Sequence, residues 1–310
     1  MKKTFALLAL PVVLLGLAFT ASAQITRIAP PGADCKSLVA GRTYAHSFEG
    51  YINTELFPVP GLAGVFPNAG TGTLTFNADG TVGGSTFIKV GPAYFGEIPM
   101  VNATYRLSWD LSKRPLVCTG TMKADAPQSP TGTENWQLVV ALGGDAIELI
   151  HTDTGLMVGV TLHPAATGGC NNGILHATYT YNAKGWTLPP PNLPPPAPTE
   201  MLNGFIPFAF SGAIVFRPDL VSPNTLTGAP PGSAYLQGWD MVSMHGYIMP
   251  RTYVGWYKVQ EDCSADMVLL DSIGTPLIHT KVQILKNADA IEILNVDAPM
   301  ALAFTAERQR

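Results

Sequence analysis

This chain is written twice, and nothing else in it constrains the fold as strongly. Cys35 precedes Thr43-Tyr44 and Gly50-Tyr51, and Cys170 precedes Thr178-Tyr179 and Gly185-Trp186 at a constant offset of 135. Gly72-Thr73-Leu74-Thr75-Phe76-Asn77-Ala78-Asp79 is matched by Gly212-Ala213-Ile214-Val215-Phe216-Arg217-Pro218-Asp219 at an offset of 140. Thr104-Tyr105 matches Thr252-Tyr253 at 148, and Cys118 with Met122 matches Cys263 with Met267 at 145. Asp145-Ala146-Ile147-Glu148-Leu149-Ile150 is answered by Asp289-Ala290-Ile291-Glu292-Ile293-Leu294, with Asp153 and Asp297 following, all at 144. Anchors in one order, with offsets that drift by small steps, are the mark of a duplication. They predict two homologous domains, 35–163 and 170–306, each of about 130 residues and large enough to own a core. A linker at 164–169 joins them, and a short tail, 307–310, follows.

Each copy reads as β structure. Thr71 to Phe76 alternates, with threonines on one face and Leu74 and Phe76 on the other, and Asn77-Ala78-Asp79-Gly80 then turns the chain into a return strand at Thr81-Val82. The 31 glycines and 27 prolines are scattered as turn punctuation, and no window shows a capped period of 3.6. The expected fold class is all-β: two homologous antiparallel β-barrels, or barrel-like sandwiches, in tandem.

Residues 1–23 read as a secretory signal peptide: Lys2 and Lys3, an apolar run from Phe5 to Phe19, and the small residues Ala21-Ser22-Ala23. The run is short for a membrane span, so the expectation is a secreted or periplasmic protein that does not span a membrane, with 24–34 as an N-terminal extension. In an oxidising compartment Cys35, Cys118, Cys170 and Cys263 are expected to form disulfides. The repeat makes Cys35–Cys118 and Cys170–Cys263 the parsimonious pairs, with a bond between the copies as the alternative. A formal charge of −4 with 13% charged residues supplies no basic face, which argues against nucleic acid as a partner.

An early Cys, a Gly-x-apolar-x-Phe-x-x-Asp hairpin, a Thr-Tyr strand before a second Cys and a closing strand with Glu recur in each copy. In these features the chain resembles a group of secreted bacterial β-barrel proteins of uncharacterised function, lipocalin- or calycin-like in shape. The resemblance implies a fold and no activity.

Candidate chemistry is sparse. Glu148 and Glu292 recur within apolar strands, each followed by an Asp five residues on, roughly 16 Å away along an extended strand. That separation suits turn-capping acids better than a pair of catalytic carboxylates. The histidines His46, His151, His163, His176, His245 and His279 form no spaced metal motif, and His46 aligns with Tyr181 and His151 with Asn295. No nucleophile elbow, phosphate loop or dinucleotide fingerprint is present, so no catalytic residue, metal or cofactor is assigned.

The expected function is non-catalytic, the binding of a small apolar ligand or a cell-surface partner. An extracellular hydrolase or isomerase and a structural envelope or matrix component are the alternatives. The second copy holds an aromatic- and methionine-rich stretch, Tyr235 to Met249, where the anchors leave it eight residues longer than the first. Trp239, Met241, Met244, His245 and Tyr247, with Trp256, are therefore the candidate ligand-binding residues. The replacement of Thr73 and Thr75 by Ala213 and Val215 predicts an apolar outer face that packs on the other domain. The proline-rich run 188–200 falls inside the second copy, at the position of Thr54 to Pro60 in the first, as an extended loop near a barrel mouth.

Overall fold

The computed structural model describes residues 34–113, 116–127, 129, 131–189, 201–221, 226, 228–244, 247–271, 274–297 and 299–310. The leader assigned to 1–23, the extension up to residue 33, most of the proline-rich run and His245 lie outside the described residues.

The first copy is a closed antiparallel barrel of eight strands. These are β1 (Arg42–Asn53), β2 (Val65–Phe76), β3 (Thr81–Val90), β5 (Ala103–Asp110), β6 (Val117–Asp125), β7 (Thr133–Val140), β8 (Ile147–His151) and β9 (Leu156–Pro164), while β4 (Ala93–Pro99) folds back on β3 at the rim. Consecutive strands pair around the ring, and β1 closes it on β9. The second copy repeats the plan with β10 (Thr178–Thr187), β11 (Ile206–Val221), β12 (Ala234–Met244), β13 (Tyr247–Val259), β14 (Ser264–Leu270), β15 (Pro276–Ile284), β16 (Ala290–Asn295) and β18 (Ala303–Arg308). A short strand, β17 (Met300–Ala301), adds to β10. Among the described residues no helix is long and apolar enough to cross a membrane.

The cysteines pair as Cys35–Cys118 and Cys170–Cys263, one bond per barrel. Bonds of this kind persist in oxidising compartments outside the cytosol. Each ties the segment leading into a barrel to the start of its β6 or β14.

Strand registers in the two barrels correspond one for one. Tyr44 faces Leu74 where Tyr179 faces Ile214, Trp136 faces His151 where Thr280 faces Asn295, and Glu148 faces Thr161 where Glu292 faces Thr305. The same glycine is required at Gly72 and Gly212: a Cβ there would stand 2.1 Å from the Ser85 carbonyl oxygen and 2.2 Å from that of Trp239. At one end of each barrel a buried tyrosine ties the first strand to the segment that precedes β8 or β16. Tyr44 Oη donates to the Gly144 carbonyl and Tyr179 Oη to that of Ala288, both at 2.7 Å.

One anchor is corrected by these registers. Tyr105 pairs with Met122, and the residue that pairs with Met267 is Tyr257, not Tyr253. The rings agree, since Tyr105 stands edge-on to Phe76 at 5.0 Å and Tyr257 edge-on to Phe216 at 4.9 Å. Thr81 pairs with Thr104, and Tyr235 with Trp256. The extra length of the second copy therefore falls in the connection between Arg217 and Ala234, where the register shifts, and not in the aromatic stretch.

The two barrels pack side to side. Outer faces of β1 and β2 meet those of β15, β16 and β18, so the joint runs mainly through these strands and not through the Ala213/Val215 face of β11. Small residues let the walls approach: Ala45, Ala165, Leu285 and Ala290 form one buried cluster, and Ala69, Leu294 and Ala303 another. Ser47 donates to Glu292, which is 1% exposed and also accepts from Thr305 at 2.8 Å, and the buried Lys89 ammonium donates to the Asp297 carbonyl. The connection at 164–169 is tied to both barrels, with Ala165 N–H donating to Thr43 and Ala166 N–H to Ile284.

Candidate functional site

An eight-stranded barrel is just wide enough either to be filled by its own side chains or to hold one small ligand. The two copies take opposite options. At equivalent registers the first barrel has His46, Asn68, Gly70 and Val160 where the second has Tyr181, Phe208, Phe210 and Phe304. The aromatic set interlocks, with ring centroids of Tyr181, Phe210 and Phe304 at 5.2–5.4 Å and Phe208 stacked on Phe210 at 5.7 Å. The Phe48 ring fills the space over Gly70, while the smaller or polar His46, Asn68 and Val160 leave the first barrel with a cavity of about 400 Å³. That lies within the range of small-molecule sites.

The wall is mostly apolar. Leu74, Met122, Leu149, Val158 and Val160 line it from the strands, and Phe57, Pro58, Val59 and Pro60 close over its mouth. The mouth loop is held by Thr54, whose N–H and Oγ1 both donate to the Gly64 carbonyl at 2.9–3.0 Å. The second barrel braces it from outside: Phe205 and Trp186 share a cluster with Phe57, Ile52 and Phe66, and Asn203 donates to the Ala63 carbonyl at 3.3 Å.

A few polar groups interrupt the wall, and several of their atoms have no partner in the protein. These are His46 Nδ1, Asn68 Oδ1, Trp136 Nε1 and His151 Nε2, all buried and all from residues lining the cavity. Buried polar atoms are normally satisfied, so unpaired ones grouped on one cavity single it out. The His46 ring stacks on Phe48 and makes one hydrogen bond, between Nε2 and Thr86 Oγ1 at 3.2 Å. Burial lowers the pKa of His46 to about 4. His151 is lowered to about 4 as well, burial outweighing the opposing pull of Asp153. Glu134 is pushed up to about 7, first by desolvation and then by the neighbouring Asp153. Desolvation of the charged form is the leading cause in all three.

The candidate residues of the second copy are not brought together. Trp239 is 57% exposed on the outer face of β12, and Met241 and Tyr247 are also exposed. Met244 lies in the filled core, and Trp256 is buried against Val268 and Leu270 on the outside of the barrel, beside Leu226 and Ala229. Glu148 accepts from Thr161 at 2.8 Å on an exposed ladder. Asp153 and Asp297 both fasten the preceding hairpin, accepting from Asn135 N–H and His279 N–H at 2.7 and 2.6 Å. The signal for the real cavity was present in the sequence as a loss of bulk at alternate positions of β1, β2 and β9. It can be read only once the closed barrel shows which positions of those strands face one interior.

Between the barrels β1 and β9 face β10 and β18 across an open polar groove of about 900 Å³, which includes Glu49, Thr161, Thr180 and Lys184. Its polar groups are solvated or paired across the joint, as with Glu49 and the Ala303 N–H at 3.2 Å.

Fold and site together define the class: a tandem of closed eight-stranded antiparallel barrels, the first hollow and the second filled. No protein-family model matches the chain, and no curated protein sequence matches it.

Proposed function

We propose that this chain is a secreted, non-catalytic binding protein whose first barrel holds a small apolar ligand, while the second serves as a rigid brace. One observation carries the reading. Two barrels of the same register differ in whether their interiors are filled, and the hollow one keeps unpaired buried polar atoms on an otherwise apolar wall. Apolar walls with a few fixed polar groups are how small-ligand sites are built. The leader-like N-terminus and the disulfides support a compartment outside the cytosol.

The test is fluorescence titration with N-phenylnaphthylamine, a neutral apolar dye that brightens in dry surroundings. Saturable binding of one dye per chain, lost when Val160 is enlarged to Phe, is the expected result. Absence of saturable binding refutes the proposal.

A second reading has one observation in its favour. Glu134 and His151 face each other at 4.0 Å with the usual order of their proton affinities reversed by burial, which leaves the carboxyl as the proton donor of the pair, a role suited to an isomerase. It requires chemical change of a cavity ligand, which chromatography of ligand recovered after incubation would reveal.

A further inference from the structure

We propose that the ligand of the first barrel is an uncharged amphiphile bearing an oxygen acceptor, such as an alkyl ketone, ester or alcohol, and that the cavity rejects carboxylic-acid anions. This rests on the cavity reading above and names its ligand class.

The argument begins at the His151 ring. Its Nδ1 accepts the Asp153 N–H at 3.2 Å, which places the proton of the neutral ring on Nε2. That Nε2–H stands 3.5 Å from Asp153 Oδ2 and 4.0 Å from Glu134 Oε2, without a hydrogen bond to either. Trp136, whose ring centroid lies 4.4 Å from that of His151, adds a second buried N–H with no partner. The two donors belong to cross-strand neighbours that both line the cavity, and an oxygen with two lone pairs can accept from two N–H groups.

The charges decide what carries that oxygen. The described lining residues include Asp125 and Glu134 but no lysine or arginine. A carboxylate entering here would sit beside like charges with no counter-ion, in a medium that already penalises charge. An ammonium group would find acceptors in Asp125, Glu134 and Asn68, but it has only donors to offer and would leave both N–H groups unpaired. A neutral ketone or alcohol satisfies the donors without bringing a charge. On the facing wall Asn68 Oδ1 and His46 Nδ1 remain available to a hydroxyl. A cavity of about 400 Å³ corresponds to roughly a dozen water volumes, which suits a ligand of about a dozen heavy atoms.

Three probes of that size separate the possibilities: nonyl methyl ketone, decanoate and undecylamine. Each is used to displace N-phenylnaphthylamine from the full-length protein at about pH 8, where decanoate is ionised. The ketone is expected to bind at least about tenfold tighter than either charged probe. Trp136→Phe, which keeps an aromatic ring and removes the donor, is expected to weaken the ketone about five- to tenfold more than it weakens the dye. Decanoate or undecylamine binding as tightly as the ketone overturns the proposal, as does a ketone affinity that Trp136→Phe weakens no more than the dye's. The comparison of probes on the unmodified protein decides the matter even if the variant does not fold. If the dye itself fails to bind, the cavity reading falls. If the dye binds and the ketone is not preferred, only the ligand class falls.

Discussion

Trp136 and His151 are direct cross-strand partners whose rings meet edge to face, 4.4 Å between centroids and 77° between planes, and each presents a buried N–H that the protein leaves unpaired. The same rung of the second barrel is Thr280 opposite Asn295, and there Thr280 Oγ1 turns back to the Met267 carbonyl at 3.2 Å. One ladder position thus carries two unpaired ring donors beside a cavity in the hollow barrel, and in the filled one a bonded hydroxyl opposite an asparagine whose amide is buried and unpaired. The difference between the copies lies in the interior side chains, not in the scaffold.

Copying the second barrel's solution into the first should therefore close the site. Val160 corresponds to Phe304, and Val160→Phe places a ring in the cavity without straining a full core. The added burial contributes about 1 kcal/mol. The melting temperature should stay level or rise by a few degrees, while dye affinity falls more than about tenfold. Thermal melts and dye titrations of the same preparation check both halves, and a variant that still binds the dye normally places the site elsewhere.

The buried histidines give stability a defined pH dependence. Unfolded chains take up a proton on His46 below about 6.5, whereas the folded protein refuses it until about 4. The unfolded state then binds more protons over that window, so stability falls as pH drops through it, by up to about 3 kcal/mol from this residue. Glu134 acts in the opposite sense: its carboxyl, raised from 4.5 to about 7, costs stability as pH rises through that interval. His46→Gln isolates the first contribution. Between about pH 7 and pH 5 the unmodified protein should lose roughly 2 kcal/mol more than the variant, read from urea midpoints. Parallel losses would show that His46 is not held neutral.

Much of this fold was legible because strand patterning and turn chemistry are local. The hairpin at Gly72 to Thr81, the repeated Asp145/Asp289 segments and the one-early, one-late cysteines carry the duplication, the barrels and the observed disulfide pairing. The alignment failed at Thr104-Tyr105, where a generic dipeptide stood in for a position defined by ring packing: Tyr257 is fixed by its contact with Phe216. That slip put the insertion inside the aromatic stretch and drew attention to Trp239 and Met241, which face outward. The cavity escaped notice because hollowness is a property of facing walls. Asn68 and Val160 are unremarkable in their own strands and matter only because they line one cavity inside the same barrel.

The side-to-side joint should make the two barrels unfold together. Ala69 is fully buried against Leu294 and Ala303, with no room for a larger side chain. Ala69→Arg forces a charge into that seam while leaving both interiors untouched. The expected result is a single unfolding transition splitting into two, with little change in the disulfides or in dye binding. Differential scanning calorimetry would show it. One sharp transition at the original temperature would mean the seam contributes little.

The second barrel has its own polar interior, and here the charges are matched. Asp240 is 2% exposed, and Arg251 holds it with two bonds, Nε to Oδ1 at 2.8 Å and Nη2 to Oδ2 at 2.7 Å. Tyr181 donates to Asp240 Oδ2 at 3.2 Å, lies 2.9 Å from Tyr253 Oη, and Tyr253 donates to the Ala213 carbonyl at 3.0 Å. Burial, reinforced by Asp240, raises the pKa of both phenols well above the ordinary tyrosine range. Removing one partner of such a pair costs more than removing both, because a lone buried carboxylate has nothing to offset its lost hydration. Arg251→Met should destabilise by about 3 kcal/mol, the low end for a buried pair because the guanidinium is partly exposed. Asp240→Asn in the same chain should recover most of that, since the amide oxygen still accepts from Tyr181 and carries no charge. Urea unfolding of the two single variants and the double variant tests this as a cycle. Additive losses in the double variant would show that the two side chains do not act as a pair.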